Sequence, residues 1–304
     1  MATPAQWVEA MRPRTLPLSI SPVIAGSAVA LAAGGFHPWR ALLTLVVSVA
    51  MQVGVNLSND YSDGVRGTDE YRVGPQRLVG SGAASPGAVK AAAFMAYGVG
   101  CLAGLVLVWL TGLWWLVALG VAIVVAAWFY TGGKHPYGYM GLGEVFVFLF
   151  FGIAATVGTV LVQTGFVPVT GTLTQHIWAT VAATVCQGTG ACAVLVANNL
   201  RDIPTDAMAG KKTLSVRLGD HRSRVLFIWL VVVSALALVA TAVFTHPTGL
   251  LGLVMLFWAV PAVVTVVRGG KGMELVRVLK LVGLAQLLGA AGLFVGVLAA
   301  VLLG

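Results

Sequence analysis

Residues 56–72 read "NLSNDYSDGVRGTDEYR", a polar stretch that follows directly on an apolar run of the chain. The stretch holds four of the ten acidic residues of the whole sequence and two arginines. The four acids are Asp60, Asp63, Asp69 and Glu70. Carboxylates beside apolar sequence are costly near a membrane unless cations compensate their charge. The stretch therefore predicts that the acids face basic side chains or a metal ion.

The overall composition indicates a membrane protein. Hydrophobic residues make up 59% of the chain and charged residues 9%, and the mean hydropathy is +0.94. A soluble domain carries roughly a quarter of charged residues, so this composition excludes a soluble globule. The apolar runs match the length of about 20 residues that a helix needs to cross the hydrocarbon core. The alternating pattern of a membrane barrel is absent from the sequence, which favours an all-α bundle.

Nine apolar runs predict a bundle of nine transmembrane helices that forms a single domain over residues 1–304. The predicted spans are 17–34, 41–57, 88–111, 113–131, 145–164, 176–198, 225–245, 248–267 and 281–303.

The distribution of charge predicts the orientation of the bundle. If the N-terminus is cytoplasmic, every Lys and Arg except Arg40 falls in the N-terminal tail or at the cytoplasmic ends of the spans. The positive-inside rule therefore favours a cytoplasmic N-terminus and an external C-terminus. Since this asymmetry explains the net charge of +8, the charge gives no reason to expect a nucleic-acid partner. The acids lie on the same side although no such rule governs them, which indicates a functional site on that rim.

A second acidic stretch closes the sixth predicted span and reads "NNLRDIPTDAMAGKKT" from Asn198. Asn198, Asp202 and Asp206 share one helix face if the helix continues through Pro204, but a proline there predicts a kink or a helix end. The first stretch also places amide and acidic side chains on one face if it is helical. These residues are Asn56, Asn59, Asp60 and Asp63.

Two facing acidic clusters are suited to a metal–diphosphate site. Mg²⁺ prefers oxygen ligands and commonly takes one or two carboxylates together with phosphate oxygens. Basic residues beside the acids would bind the remaining phosphate charge: Arg66, Arg72, Arg77, Lys134, Arg201, Lys211 and Lys212. A cation pore would not place so many arginines beside its acids. An ion-coupled transporter is the alternative from another class, although its acids would be expected at the midplane of the membrane.

The phrases "NDYSD" and "RDIPTD" resemble the paired aspartate motifs of the UbiA superfamily of intramembrane aromatic prenyltransferases. The resemblance covers nearly the whole chain and includes "RPRTLPLSISPV" from Arg12, "GPQRLVGSG" from Gly74 and "YTGGKHPYGYMGLGEVFVFLFFG" from Tyr130. It implies nine transmembrane helices with the motifs after helices 2 and 6. The chain departs from the family pattern N-D-x-x-D-x-x-x-D at the last position, which is Gly67, and Asp69 is the candidate substitute.

The resemblance is strongest to the menaquinone-pathway branch of the family. It implies a Mg²⁺-dependent enzyme of the bacterial inner membrane with its active site on the cytoplasmic side. The implied substrates are a polyprenyl diphosphate and 1,4-dihydroxy-2-naphthoate, and the implied products are demethylmenaquinone, CO₂ and diphosphate. Another aromatic acceptor, 4-hydroxybenzoate or homogentisate, is the alternative within the enzyme class.

The resemblance also implies roles for individual residues. The predicted metal ligands, which are also the catalytic carboxylates except for Asp69, are Asp60, Asp63, Asp69, Asp202 and Asp206. The predicted diphosphate contacts are Asn59, Arg66, Arg77, Lys134, Arg201 and Lys211. Tyr130 is expected to face the allylic cation that forms when the diphosphate leaves. A membrane-interface aromatic is the alternative for Tyr130, and an orientation charge is the alternative for Lys134.

Overall fold

The computed structural model describes residues 2–67, 77–133 and 136–303, and the regular secondary structure of these residues is entirely helical. The α-helices are α1 (Pro4–Ala10), α2 (Pro17–Ala32), α3 (Pro38–Arg66), α4 (Pro86–Thr111), α5 (Leu116–Phe129), α6 (Gly143–Val147), α7 (Gly158–Thr164), α8 (Leu173–Met208), α9 (Leu214–Thr245), α10 (Leu256–Val267) and α11 (Met273–Leu303). A π-helical segment, Phe148–Val157, joins α6 to α7, and 3₁₀ turns cover Tyr137–Tyr139 and Pro247–Met255.

Every predicted span coincides with a helical segment. Among the described residues, seven segments are long and apolar enough to cross a membrane. The remaining two predicted spans correspond to the shorter apolar helices α2 and α5. The prediction of an all-α, multi-pass membrane protein is therefore confirmed.

The two motif-bearing helices extend further than predicted. The second predicted span ended at residue 57, whereas α3 continues to Arg66; the sixth ended at residue 198, whereas α8 continues to Met208. Of the kink or helix end predicted at Pro204, the helix end does not occur, because α8 continues through this proline to Met208. A proline keeps a helical φ and removes only one backbone hydrogen bond, so four further residues can follow it near a helix end. Both aspartate motifs are consequently held on helices.

Helix α8 forms the centre of the bundle. Of its most apolar window, 83% is buried, compared with 28–39% for the other long segments. Small residues allow its neighbours to approach closely: a Cβ on Gly152 would lie 2.9 Å from the Gly188 Cα of α8. Such small-residue contacts are the usual way in which helices pack in lipid.

Residues 77–85, which belong to the loop between α3 and α4, pack against α3. Gly67 ends the helix in a left-handed conformation with φ of 71°, the usual role of glycine at a helix C-terminus. A Cβ on Gly64 would lie 2.5 Å from the Val79 side chain, so the loop lies directly on the helix. Leu78 of this loop is buried with Leu57 of α3. Asp60 and Asp63 are therefore buried on α3, whereas its last residues from Val65 onward are exposed.

We predict that Gly152→Val destabilises the bundle by about 1–3 kcal/mol, because the new side chain meets backbone atoms that cannot move aside. The matched control is Gly98→Val, since a Cβ on Gly98 would meet nothing within 4 Å. Thermal unfolding of both variants in detergent measures the difference. Equal midpoints for the two variants would contradict the packing described for Gly152.

Candidate active site

A cavity of about 760 Å³ is lined by residues from both aspartate motifs. Its polar end is lined by Asn59 and Asp63 of α3 and by Asp202 and Asp206 of α8. The rest of its wall is largely apolar and comes from α3, α4, α5, the π-helical segment and α7. The cavity is therefore polar at the acidic motifs and apolar away from them.

Asp63 is compensated by three neighbouring side chains. Its Oδ2 lies 3.3 Å from the Arg77 guanidinium and its Oδ1 lies 3.5 Å from the Lys211 ammonium. The Tyr139 hydroxyl also donates a hydrogen bond to Oδ1. The Asp63 side chain is only 6% exposed, so these partners supply the charge compensation that water cannot.

Lys211 connects the two motifs. Its backbone N–H donates to the Asp206 carbonyl at 2.8 Å, while its ammonium reaches Asp63 and lies 4.5 Å from the centre of the Tyr139 ring. The polar ends of α3 and α8 therefore lie at the same end of the bundle, as the sequence predicts.

Asp202 has a different partner. The Arg201 guanidinium donates to both Asp202 oxygens, at 2.7 Å and 2.6 Å, and to the Asn198 side-chain oxygen at 2.9 Å. This is a bidentate pair of the strong, charge-assisted kind. Asp202 lines the cavity, whereas Arg201 is not among the described residues that line it.

Asp60 and Arg66 are directed away from the cavity. Asp60 is 1% exposed, and its oxygens accept hydrogen bonds from the backbone N–H groups of Leu78 at 2.9 Å and Val79 at 3.0 Å. Arg66 donates to the carbonyls of Thr131 and Gly133. In these contacts both side chains fix loops around the site, and their roles toward metal and diphosphate stay predictions.

The other predicted residues are placed as follows. Arg77, Tyr130 and Lys211 line the cavity together with Asn59. Asp69 and Lys134 lie outside the described residues, and their predicted roles stay predictions.

Aromatic side chains border the acids on the apolar side. Tyr130 follows directly on α5, and its ring centre lies 5.4 Å from that of Tyr137. The Tyr137 ring stacks on Phe146 with 3.9 Å between centres, and Phe146 in turn contacts Phe150. All four line the cavity. We call Tyr130, Tyr137, Phe146 and Phe150 the aromatic collar.

The sequence identifies the family. A model of the UbiA prenyltransferase family matches residues 19–274. The chain belongs to the UbiA prenyltransferase family. The family predicted from the motifs is thereby confirmed.

Several relatives share a name. A Mycobacterium tuberculosis protein, 1,4-dihydroxy-2-naphthoate octaprenyltransferase, is 48% identical over 95% of this chain and 96% of its own length. A Mycobacterium leprae protein of the same name is 44% identical over 95% of each chain. The Escherichia coli protein of that name is 40% identical over 72% of this chain and 70% of its own.

Solved UbiA homologues share the fold. The apo homologue from Aeropyrum pernix K1 has a TM-score of 0.71 at 14% identity and covers 91% of this chain and 97% of its own. A homologue from Archaeoglobus fulgidus, bound to GPP and Mg²⁺, has a TM-score of 0.65 at 12% identity, with 95% and 99% covered. At these identities the likeness establishes the fold.

The composition of this UbiA site suits a metal that arrives with its substrate. Among the residues that the structure describes, no three His, Cys, Asp or Glu side chains are gathered closely enough to hold a metal ion. Mg²⁺ needs only one or two carboxylates when phosphate oxygens supply further ligands. The carboxylates of Asp63 on α3 and of Asp202 and Asp206 on α8 lie next to cationic side chains and fit that chemistry.

Sequence reasoning missed several residues around the site. Tyr139 is distant from Asp63 in sequence, and nothing in its phrase indicates the contact. Thr131 donates to the Asn59 side-chain oxygen at 2.7 Å; it is uncharged, so a search for charged clusters does not select it. Asn199 donates to Glu144 at 3.0 Å, although the doubled Asn198–Asn199 pair in the motif was a visible signal.

The N-terminal turn also reaches the cavity. Arg12 lines it and has an unusual positive φ of 54°. Asn56 of α3 holds this turn by donating to the Met11 carbonyl at 2.9 Å, and Gln52 donates to Thr15. The phrase beginning at Arg12 is thus part of the site.

We predict that Asp60→Ala releases the loop at Leu78 and Val79, because the buried N–H of Leu78 loses its acceptor at about 1–3 kcal/mol and the part-buried N–H of Val79 loses its acceptor as well. Hydrogen exchange of the peptide covering these amides in the detergent-solubilised protein measures the effect. The amides should exchange faster in Asp60→Ala and stay protected in Asp220→Ala, because Asp220 is exposed and pairs with Arg224 of α9. Unchanged protection in Asp60→Ala would show that Asp60 does not hold the loop.

Proposed function

We propose that the chain transfers an octaprenyl group from octaprenyl diphosphate to 1,4-dihydroxy-2-naphthoate, with release of diphosphate and CO₂. The observation that carries the proposal is the single cavity that joins both aspartate motifs to a long apolar wall. A prenyl diphosphate has the same two parts, an anionic head and an apolar tail. The names of relatives that are 44–48% identical over nearly the whole chain support the acceptor and the donor length.

The diphosphate would bind at the polar end of the cavity. Arg77 and Lys211, which now pair with Asp63, are the cations best placed to bind phosphate oxygens. Asn59, Asp63, Asp202 and Asp206 are the oxygen-bearing side chains that would hold Mg²⁺. When bound, Mg²⁺ neutralises the diphosphate and stabilises the negative charge that develops on the leaving oxygen.

The aromatic collar would receive the reacting carbon. When the bond between the allylic carbon and the diphosphate oxygen breaks, the electron pair leaves with the diphosphate and the carbon becomes cationic. The faces of aromatic rings attract a cation, most strongly where water is excluded. Tyr130 and Tyr137 border the acids on the apolar side, where such a carbon would lie.

The acceptor would attack through the ring carbon that carries its carboxylate. The new C–C bond uses a ring electron pair, and the electrons of the bond to CO₂ restore the aromatic ring as CO₂ leaves. Because no oxidant takes part, the product is demethylmenaquinone in its hydroquinone form. Arg12 lines the cavity and is the side chain that we assign to the acceptor carboxylate.

The site would lie on the cytoplasmic side of the bacterial inner membrane. The basic residues predict this orientation by the positive-inside rule.

The cavity is lined by helices from most of the chain, from Leu18 of α2 to Leu279 of α11. We therefore propose one catalytic domain.

We predict that Asp63→Asn and Asp202→Asn each lower product formation by about 100-fold or more, since each removes a charge that helps to stabilise the leaving group. The control is Asp220→Asn, because Asp220 pairs with Arg224, is 58% exposed and does not line the cavity. The assay incubates purified protein with octaprenyl diphosphate, Mg²⁺ and 1,4-dihydroxy-2-naphthoate and identifies the product by mass. Removal of Mg²⁺ with a chelator should stop the wild-type reaction.

The same assay tests the acceptor. Parallel incubations replace 1,4-dihydroxy-2-naphthoate with 4-hydroxybenzoate or homogentisate. Faster turnover of either compound would contradict the proposed acceptor, and wild-type activity of both motif variants would contradict the proposed site.

A further inference from the structure

The character of one cavity wall changes along its length. Near the acids, the wall formed by α6 and the π-helical segment carries Phe146 and Phe150; further along, it carries Ala154, Ala155 and then Gly158 at the start of α7. A π-helical turn is rare and is frequently found at functional sites. The wall therefore changes from aromatic rings at the reacting end to small side chains deeper in the bilayer.

Gly158 faces open space although it lies within the bundle. It is half-buried, yet an added Cβ would meet nothing within 4 Å. Gly152, one and a half turns earlier, shows the opposite: its added Cβ would meet α8 backbone at 2.9 Å. Close helix packing therefore explains Gly152 and does not explain Gly158, which leaves room in the cavity.

The cavity follows α3 through most of the membrane. Its lining residues on this helix extend from Asp63 to Thr44, which corresponds to about 28 Å at about 1.5 Å per residue. The hydrocarbon core is about 30 Å thick. An apolar chain that starts at the acids can thus follow the cavity over nearly that whole depth, in dispersion contact with its wall.

We propose that Gly158 sets the longest prenyl tail that the cavity accepts. The proposal rests on the proposed function, because it assumes that the donor head lies at the acids. A short tail ends within the aromatic collar, whereas a long tail must pass the open space at Gly158. A bulky side chain at this position closes the passage and leaves the polar end unchanged.

The test compares two donors in the wild type, Gly158→Phe and Gly98→Phe. Geranyl diphosphate represents a short tail and octaprenyl diphosphate a long one, with 1,4-dihydroxy-2-naphthoate and Mg²⁺ in both assays. We expect Gly158→Phe to lower the octaprenyl-to-geranyl ratio of kcat/KM by about tenfold or more, the discrimination that a filled pocket commonly gives. Gly98→Phe should keep the wild-type ratio, because position 98 is exposed, faces open space and does not line the cavity.

A graded series keeps the test decisive if Gly158→Phe unfolds. Gly158→Ala and Gly158→Leu, checked by thermal unfolding, should lower the ratio progressively with side-chain size. A ratio that stays at the wild-type value in all folded variants would overturn the proposal and would show that the tail leaves the cavity before Gly158. Failure of the proposed function looks different, because the wild type would then form no product from either donor.

Discussion

The structure depends on one buried carboxylate and the cations that compensate it. Asp63 sits at the end of an apolar helix, where an uncompensated charge would be unfavourable, and it meets Arg77, Lys211 and Tyr139. These partners come from three separate connections between helices. The contact therefore does more than neutralise a charge: it gathers the loops that follow α3, α5 and α8 at one end of the bundle. The same cations are available to a diphosphate, so the compensation that allows folding also prepares the site for its anionic substrate.

The second determinant is the shape of the space behind these charges. The aromatic collar separates the acids from a long apolar wall, and the small residues of the π-helical segment keep that wall open. The polar end can bind the charged group while the apolar length holds a lipid chain, and neither part is sufficient alone. This division would allow a protein embedded in lipid to ionise a bond in the proposed prenyl diphosphate donor, whose tail resembles the surrounding membrane.

The helices and the positions of the two motifs could be predicted from the sequence, because segment length, hydropathy and helix periodicity depend only on residues close together in the chain. The nine apolar runs and the positions of both motifs followed from such local signals.

The orientation of individual side chains could not be predicted in this way. Asp60 and Asp63 share one helix face, yet Asp60 binds loop amides and Asp63 lines the cavity. Which acid faces inward depends on the loop that packs on α3, and that packing is a tertiary property. Arg66 shows the same dependence, since it donates to backbone carbonyls that no side-chain pattern reveals, and its predicted contact with the diphosphate stays a prediction.

The central claim is that α3 and α8 together hold one metal–diphosphate unit, and anomalous scattering tests it most directly. Crystals of the protein grown with Mn²⁺ in place of Mg²⁺, and with an unreactive thio-analogue of octaprenyl diphosphate, would be measured at the manganese edge. We predict manganese peaks at the polar end of the cavity, in contact with the donor phosphates and with carboxylates of both helices. Peaks bound to only one of the two helices, or lying outside this cavity, would contradict it.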